Sequence, residues 1–253
     1  GHEIAFNPRT GELFAAAVFD GIYRWTFDGA DQPVANGKFA AGAPMRGVIV
    51  DPSGYYIYTT SASNIIRRSR INTDESVTEL LPAMAVPGAS NLHYFAMSPD
   101  NRQIYASDIS SNRIFRLRLV ADGSLTLEGQ VVSTSPIDCA FSPDGQELYA
   151  GSHFSGGITR FTYNAQTDAW TQTGTISTPQ MGGFGTYVAP ACPSDFNGDD
   201  FVDDIDFVLF AAAYEIASIP PADPVFDLSG DNFVDDTDFA IFAAAYADFT
   251  CPE

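Results

Sequence analysis

Two aspartate-rich segments carry the clearest chemistry in this chain. DFNGDDFVDDIDFVLFAAAY (195–214) and DLSGDNFVDDTDFAIFAAAY (227–246) repeat one pattern, 32 residues apart. Counted from the first aspartate of each, oxygen-bearing side chains fall at positions 1, 3, 5, 9 and 12. These are Asp195, Asn197, Asp199, Asp203 and Asp206, then Asp227, Ser229, Asp231, Asp235 and Asp238. Position 7 offers a backbone carbonyl, from Phe201 and from Phe233. Hard oxygen donors at this spacing suit calcium, and the lack of His or Cys among them argues against zinc. The expectation is two calcium ions, one per loop.

Other reactive residue types are sparse. His2, His93 and His153 share no metal-site spacing and read as structural or exposed. Cys139 lies in an apolar run and reads as a buried thiol with nothing nearby in sequence to activate it. No GxSxG, Walker loop, HExxH or paired catalytic carboxylate is present.

The elements that must position the loops follow them directly. Phe207, Phe210 and Tyr214, and likewise Phe239, Phe242 and Tyr246, keep helical spacing, and core packing is their expected role. The runs Ala211–Ala213 and Ala243–Ala245 let two helices approach closely. Position 12 is Asp where an EF-hand has Glu, position 6 is Asp200 or Asn232 where it has Gly, and no entering helix precedes either loop. In these features 195–247 resembles the duplicated EF-hand-type repeat of dockerins. Asp204–Ile205 and Asp236–Thr237 depart from the small hydroxyl residues that many dockerins use to bind cohesin. The resemblance implies termini lying close together. With Cys192 and Cys251 at the two ends, it further implies a disulfide clasp in an oxidising compartment.

Upstream lies a different repeat. IAFNPRTGELFAA (4–16), VIVDPSGYYIYTT (48–60), FAMSPDNRQIYAS (95–107) and CAFSPDGQELYAG (139–151) align on Pro8, Pro52, Pro99 and Pro143, spaced by 44, 47 and 44. Six residues after each proline stands an aromatic: Phe14, Tyr58, Tyr105 and Tyr149. An Ile-x-Arg follows, ending at Arg24, Arg68, Arg116 and Arg160. Proline closes a first strand because it cannot donate to a sheet ladder, and pairs such as Ser53-Gly54 or Asp144-Gly145 make the turn. Two more alternating strands and a weaker outer one complete four antiparallel strands per repeat, which describes a β-propeller blade. The SPDG-x-x-LY-A pattern resembles lactonase-like and other bacterial seven-bladed propellers. The repeated arginines are expected to pack and form ion pairs on the third strand, in preference to forming a cationic ring.

The expected fold is therefore an all-β propeller of four complete blade repeats plus an extra first strand, with a small C-terminal α-helical calcium-binding domain. The propeller spans 1–191, with repeats near 4–47, 48–94, 95–138 and 139–185 and the extra strand TYVAP at 186–190. The calcium domain spans 192–253. The spare strand has two explanations, upstream blades or completion by a neighbouring molecule. The chain begins at Gly1 without Met, which reads as a processed or trimmed product.

Charge separates the two parts. The net charge is −20 over 253 residues, and 15 of the acids with no base lie in 192–253. Such a balance argues against nucleic acid and against membrane insertion. The leading expectation is a secreted or cell-surface, non-enzymatic binding protein. Its propeller would be a rigid assembly or display unit and its calcium module an attachment element. Its partners would be copies of itself, in filaments or a surface layer, or a cohesin-like receptor. The alternatives are a lactonase-like propeller hydrolase, with Glu3, Asp138 and His93 as scattered channel candidates, or a carbohydrate-directed module docked by cohesin.

Overall fold

The computed structural model describes residues 3–142, 144–178, 194–196, 202–214, 216, 224–229, 231 and 233–248. The chain divides into two compact units, Gly1–Leu119 with Leu125–Thr186, and Val120–Ser124 with Tyr187–Glu253.

The larger unit holds four antiparallel sheets of four strands, each in simple sequence order. The first is β1 (Ile4–Phe6), β2 (Leu13–Ala17), β3 (Gly21–Phe27) and β4 (Pro33–Phe39). The second is β5 (Val48–Val50), β6 (Tyr56–Thr60), β7 (Ile65–Ile71) and β8 (Val77–Ala85). The third is β9 (Leu92–Met97), β10 (Gln103–Asp108), β11 (Arg113–Leu119) and β12 (Leu125–Val132). The fourth is β13 (Pro136–Phe141), β14 (Glu147–Ser152), β15 (Ile158–Asn164) and β16 (Ala169–Ile176). The expected blade is thus seen four times. The extra strand at 186–190 lies outside the described residues.

Local sequence explains each blade. The turn after the first strand places Gly11, Gly54, Asn101 and Gly145 at positive φ, a conformation that glycine and asparagine tolerate. Beside each repeated arginine the third and fourth strands shift register, between Tyr23 and Trp25, Ile66 and Arg68, Arg116 and Leu117, and Arg160 and Phe161. A β-bulge therefore recurs at one place in every blade, where it bends the strand and re-aims a side chain.

Packing occurs between successive blades. One apolar cluster joins the first and second blades through Phe14, Ile22, Val48 and Ile57. Another joins the second and third through Tyr58, Ile66, Phe95 and Phe115. A last one joins the third and fourth through Tyr105, Ile114, Cys139 and Leu148. The aromatic six after the proline is fully covered in the first three blades and only half-buried, as Tyr149, in the fourth. On the opposite side of the stack, Ile4 and Phe6 of β1 are 63% and 56% exposed, whereas Val48 and Val50 of β5 are buried.

In the smaller unit, α1 (Asp204–Tyr214) and α2 (Asp236–Asp248) follow the two acidic loops, and a 3-10 turn covers Pro224–Phe226. The core is aromatic. Phe210 and Phe242 stack with ring centroids 5.2 Å apart, and Phe196 stacks on both. Phe207, Tyr214 and Phe239 correct the expectation that every helical aromatic packs inside. Phe207 and Phe239 are each 44% exposed, grazing the edge of that stack, and Tyr214 is 39% exposed. No helix among the described residues is long and apolar enough to cross a membrane.

Candidate functional site

Two polar centres stand out, one in each unit. The first forms where the innermost strands begin. Arg46 precedes β5, and its Nη1 lies 2.7 Å from Nε2 of His93 on β9. Arginine can only donate, so this contact requires His93 Nε2 to be the acceptor. His93 is buried and meets the Tyr94 ring edge-on at 5.8 Å. Thr60 binds the His93 carbonyl with its hydroxyl and accepts the Gly47 N–H at 2.9 Å.

Two carboxyl groups join this centre. Glu3 Oε2 accepts the Val48 N–H at 2.7 Å, and Oε1 accepts the Phe95 N–H at 2.9 Å. Burial of the carboxyl pushes Glu3 well above the usual carboxylate range; the Asp138 charge pushes the same way, against these two N–H bonds. Asp138 on β13 is itself buried and accepts the Cys139 N–H at 2.8 Å. The Tyr94 hydroxyl is raised by burial and then by the charges of Glu3 and Asp138, with Arg46 opposing. Cys139 is a free, buried thiol, pushed far up by burial and then by Asp138, and so stays protonated.

The scattered candidates Glu3, His93 and Asp138 are therefore neighbours. Arg46 and Tyr94 are the members that sequence reasoning missed. The repeat alignment held the signal. Glu3, Gly47, Tyr94 and Asp138 all stand five residues before the repeat's proline, and Arg46 and His93 stand six before. Polar residues there depart from an otherwise apolar strand start.

The repeated arginines take the structural role. Arg24 pairs with Glu12 at 2.7 and 2.9 Å and also donates to the Glu75 carbonyl in the second blade. Arg116 pairs with Asp168 and Arg160 with Glu147.

The second centre is the acidic loop before α2. One carboxylate oxygen each from Asp227, Asp231 and Asp238 lies within 4.8 Å of the others, close enough to share an ion. Asp238 is fully buried and closes the loop by accepting the N–H groups of Ser229 and Asp235 at 2.7 and 2.8 Å. Asp206 does the same for the first loop, through Phe196 and Asp203 at 2.7 and 2.9 Å. Each Asp238 oxygen accepts one of these N–H groups, and a carboxylate oxygen carries a second lone pair able to meet a cation. Asp203 and Asp235 turn to cap their helices on Ile205 and Thr237, both at 2.8 Å. Ser229 Oγ lies 3.4 Å from Asp227, and Phe233 N–H meets Asp231 at 2.9 Å. Asp195 begins the first loop, while Asn197, Asp199, Phe201, Cys192 and Cys251 lie outside the described residues.

The family model described as lactonase, 7-bladed beta-propeller, matches residues 1–184. No curated protein sequence matches. Among solved structures, a Bacteroides uniformis protein provisionally assigned as a 6-phosphogluconolactonase has 20% identity and a TM-score of 0.60, covering 70% of this chain and 57% of its own. The periplasmic gluconolactonase of Pseudomonas aeruginosa has 18% identity and a TM-score of 0.58, with 71% and 55% covered. A Lactobacillus plantarum protein has 24% identity and a TM-score of 0.59, with 69% and 55% covered. At these identities the likeness shows the fold, and this chain spans a little over half the length of each. The expectation of a non-enzymatic assembly or display unit is corrected by these matches. The family carries an enzyme's name, and gluconolactonases share the blades.

Proposed function

Since the chain belongs to the lactonase family of seven-bladed β-propellers, we propose that its propeller unit is a lactonase-like hydrolase acting at the Arg46–His93 centre. The observation that carries this reading is the 2.7 Å approach of Arg46 to a buried His93, with Tyr94 and Asp138 beside them. Lactone opening adds water to the ring carbonyl carbon and breaks the carbonyl carbon–ring oxygen bond. The ring oxygen takes a proton, and a hydroxy acid leaves. Negative charge gathers on the carbonyl oxygen during that addition. A guanidinium is permanently charged and offers a planar fork of donors, so Arg46 suits the role of oxyanion stabiliser. Asp138 supplies a carboxylate that can take the proton from water. The test is hydrolysis of glucono-δ-lactone followed by proton release. The expected result is a rate above the spontaneous one that falls by about a hundredfold in Arg46→Met. A rate equal to the buffer blank overturns the reading.

The second loop centre supports a further proposal, that the smaller unit binds calcium. An all-oxygen donor set at positions 1, 5 and 12 fits that hard cation, and a capping residue at position 9 agrees with the water-mediated ligand common there. Its role is structural, holding loop to helix. Calcium and the proposed clasp of Cys192 and Cys251 both suit an extracellular or periplasmic setting, which we propose for the chain.

A further inference from the structure

The Glu3 carboxylate crosses from the first blade to the next two. Its oxygens accept from Val48 on β5 and Phe95 on β9, at 2.7 and 2.9 Å. Val48 stands two residues after Arg46, and Phe95 two after His93. Arg46 lies just before β5, and His93 lies where β9 shifts register between its Phe95–Ala106 and Leu92–Asp108 pairings, so simple alternation does not set where either side chain projects. The two Glu3 bonds set the spacing of the Val48 and Phe95 amides, and Thr60, which accepts the Gly47 N–H and donates to the His93 carbonyl, ties the same two segments next to Arg46 and His93.

Gly47 makes the crossing possible. A Cβ there would lie 3.1 Å from Glu3 Oε2, 2.6 Å from Thr60 Oγ1 and 2.3 Å from the His93 carbonyl oxygen. The other blades carry Glu3, Tyr94 and Asp138 at this repeat position. Only the glycine leaves a passage. The Glu3 backbone is anchored as well, its carbonyl accepting the Ala16 N–H at 2.9 Å.

We propose that Glu3 is a positioning residue: a strap that sets the mutual register of β5 and β9 so that Arg46 Nη1 meets His93 Nε2. This rests on the reading of that pair as the reactive centre. Glu3 acts through the backbone of each strand, by way of the Val48 and Phe95 amides.

The test is Glu3→Gln in the full chain, with histidine labelled at both ring nitrogens and His93 assigned by a His93→Gln variant. In the unsubstituted protein the His93 Nε2 signal should be that of an unprotonated acceptor. In Glu3→Gln it should move to the tautomer mixture of a free imidazole, while the His153 signals and the far-ultraviolet dichroism stay unchanged. A folded variant with the His93 signals unaltered overturns the proposal. Should the variant not fold, pH titration of the unsubstituted protein gives a second measurement. The Val48 and Phe95 amides and the His93 ring should then shift at one midpoint, and a ring signal that does not follow the amides overturns the proposal. Lactone hydrolysis separates the two readings. A changed ring signature without any hydrolysis removes the lactonase reading alone. Hydrolysis that survives Glu3→Gln with kcat unchanged removes the strap alone.

Discussion

Asp168 takes two hydrogen bonds from the Arg116 guanidinium, at 2.6 and 2.5 Å, and so ties the β15–β16 turn of the fourth blade to the third strand of the third. The Tyr163 hydroxyl donates to the same carboxylate at 2.7 Å. Arg116 is 7% exposed and Asp168 62% exposed, so the pair sits at the wet rim of a dry interface.

Removing the anion should therefore leave a nearly buried cation without its partner. We expect Asp168→Ala to cost about 1–2 kcal/mol, the value for a charged hydrogen bond reduced for the exposure of Asp168. Urea unfolding of Asp168→Ala, Arg116→Met and the double variant would check it. The double variant should be less destabilised than the sum of the singles. The Arg116 bond, followed by that of Tyr163, lowers the Asp168 carboxyl to about 2. Its contribution is thus full above the ordinary carboxylate range and lost as pH falls toward that value.

Asp51 gives the opposite pH dependence. Burial raises its carboxyl to about 6, against the hydrogen bonds of Ser53 and the Tyr56 N–H. The folded state then binds a proton that the unfolded chain has released. Stability from this group is present below the ordinary carboxylate range and is lost as pH rises through about 6. The loss is about 1.4 kcal/mol for each pH unit across that window. Thermal melts from pH 4 to pH 7 should show the decline, and Asp51→Asn should flatten it. An unchanged slope in that variant would assign the decline to other groups.

The blades were legible because each local rule pointed the same way: proline to end a strand, glycine or asparagine at positive φ, an aromatic on the covered second strand. Phe14, Tyr58 and Tyr105 were found in this way. The reactive centre was legible only as the scattered candidates Glu3, His93 and Asp138, because its members stand at or just before the first strands of four different blades. Glu3, Arg46, His93 and Asp138 meet only once the first strands stand side by side. Their offsets from the prolines placed them at one level of the stack, but which neighbour each would touch depended on packing. The bulges at Arg24, Arg68, Arg116 and Arg160 were equally invisible, since an extra residue on one strand leaves no mark in apolar alternation. In the acidic loops the spacing anticipated the convergence of Asp227, Asp231 and Asp238. It did not anticipate that Asp235 would turn to cap α2.

Gly47 offers a test of close approach that is independent of catalysis. Its φ is not positive, so its role is space and not backbone freedom. A methyl group there would press on the His93 carbonyl oxygen at 2.3 Å and on Thr60 Oγ1 at 2.6 Å. Backbone oxygen cannot rotate away as a flexible side chain can. Gly47→Ala should destabilise the larger unit by about 1–3 kcal/mol, the usual cost of overpacking. Gly29→Ala, where a Cβ meets nothing within 4 Å, is the control and should leave the melting temperature nearly unchanged.

Metal removal should act on the smaller unit alone. In the second loop three carboxylate oxygens converge within 4.8 Å, and no basic residue lies anywhere in 192–253 to offset them. Without a cation, repulsion at that distance favours opening of the loop, and the helix that begins at Asp236, two residues before Asp238, opens with it. Asp238, the last of the proposed ligands, also holds the Ser229 and Asp235 amides, so its loss should free both ends of the loop at once. The larger unit owes its order to apolar clusters between blades, which a chelator does not touch. Hydrogen exchange with and without chelator should therefore show faster exchange in α1 and α2 and unchanged exchange in β5–β7 and β9–β11. Asp238→Ala should reproduce the effect in α2 more strongly than in α1. Equal protection of α2 with and without chelator, in protein first saturated with calcium, would show that the loop binds no calcium.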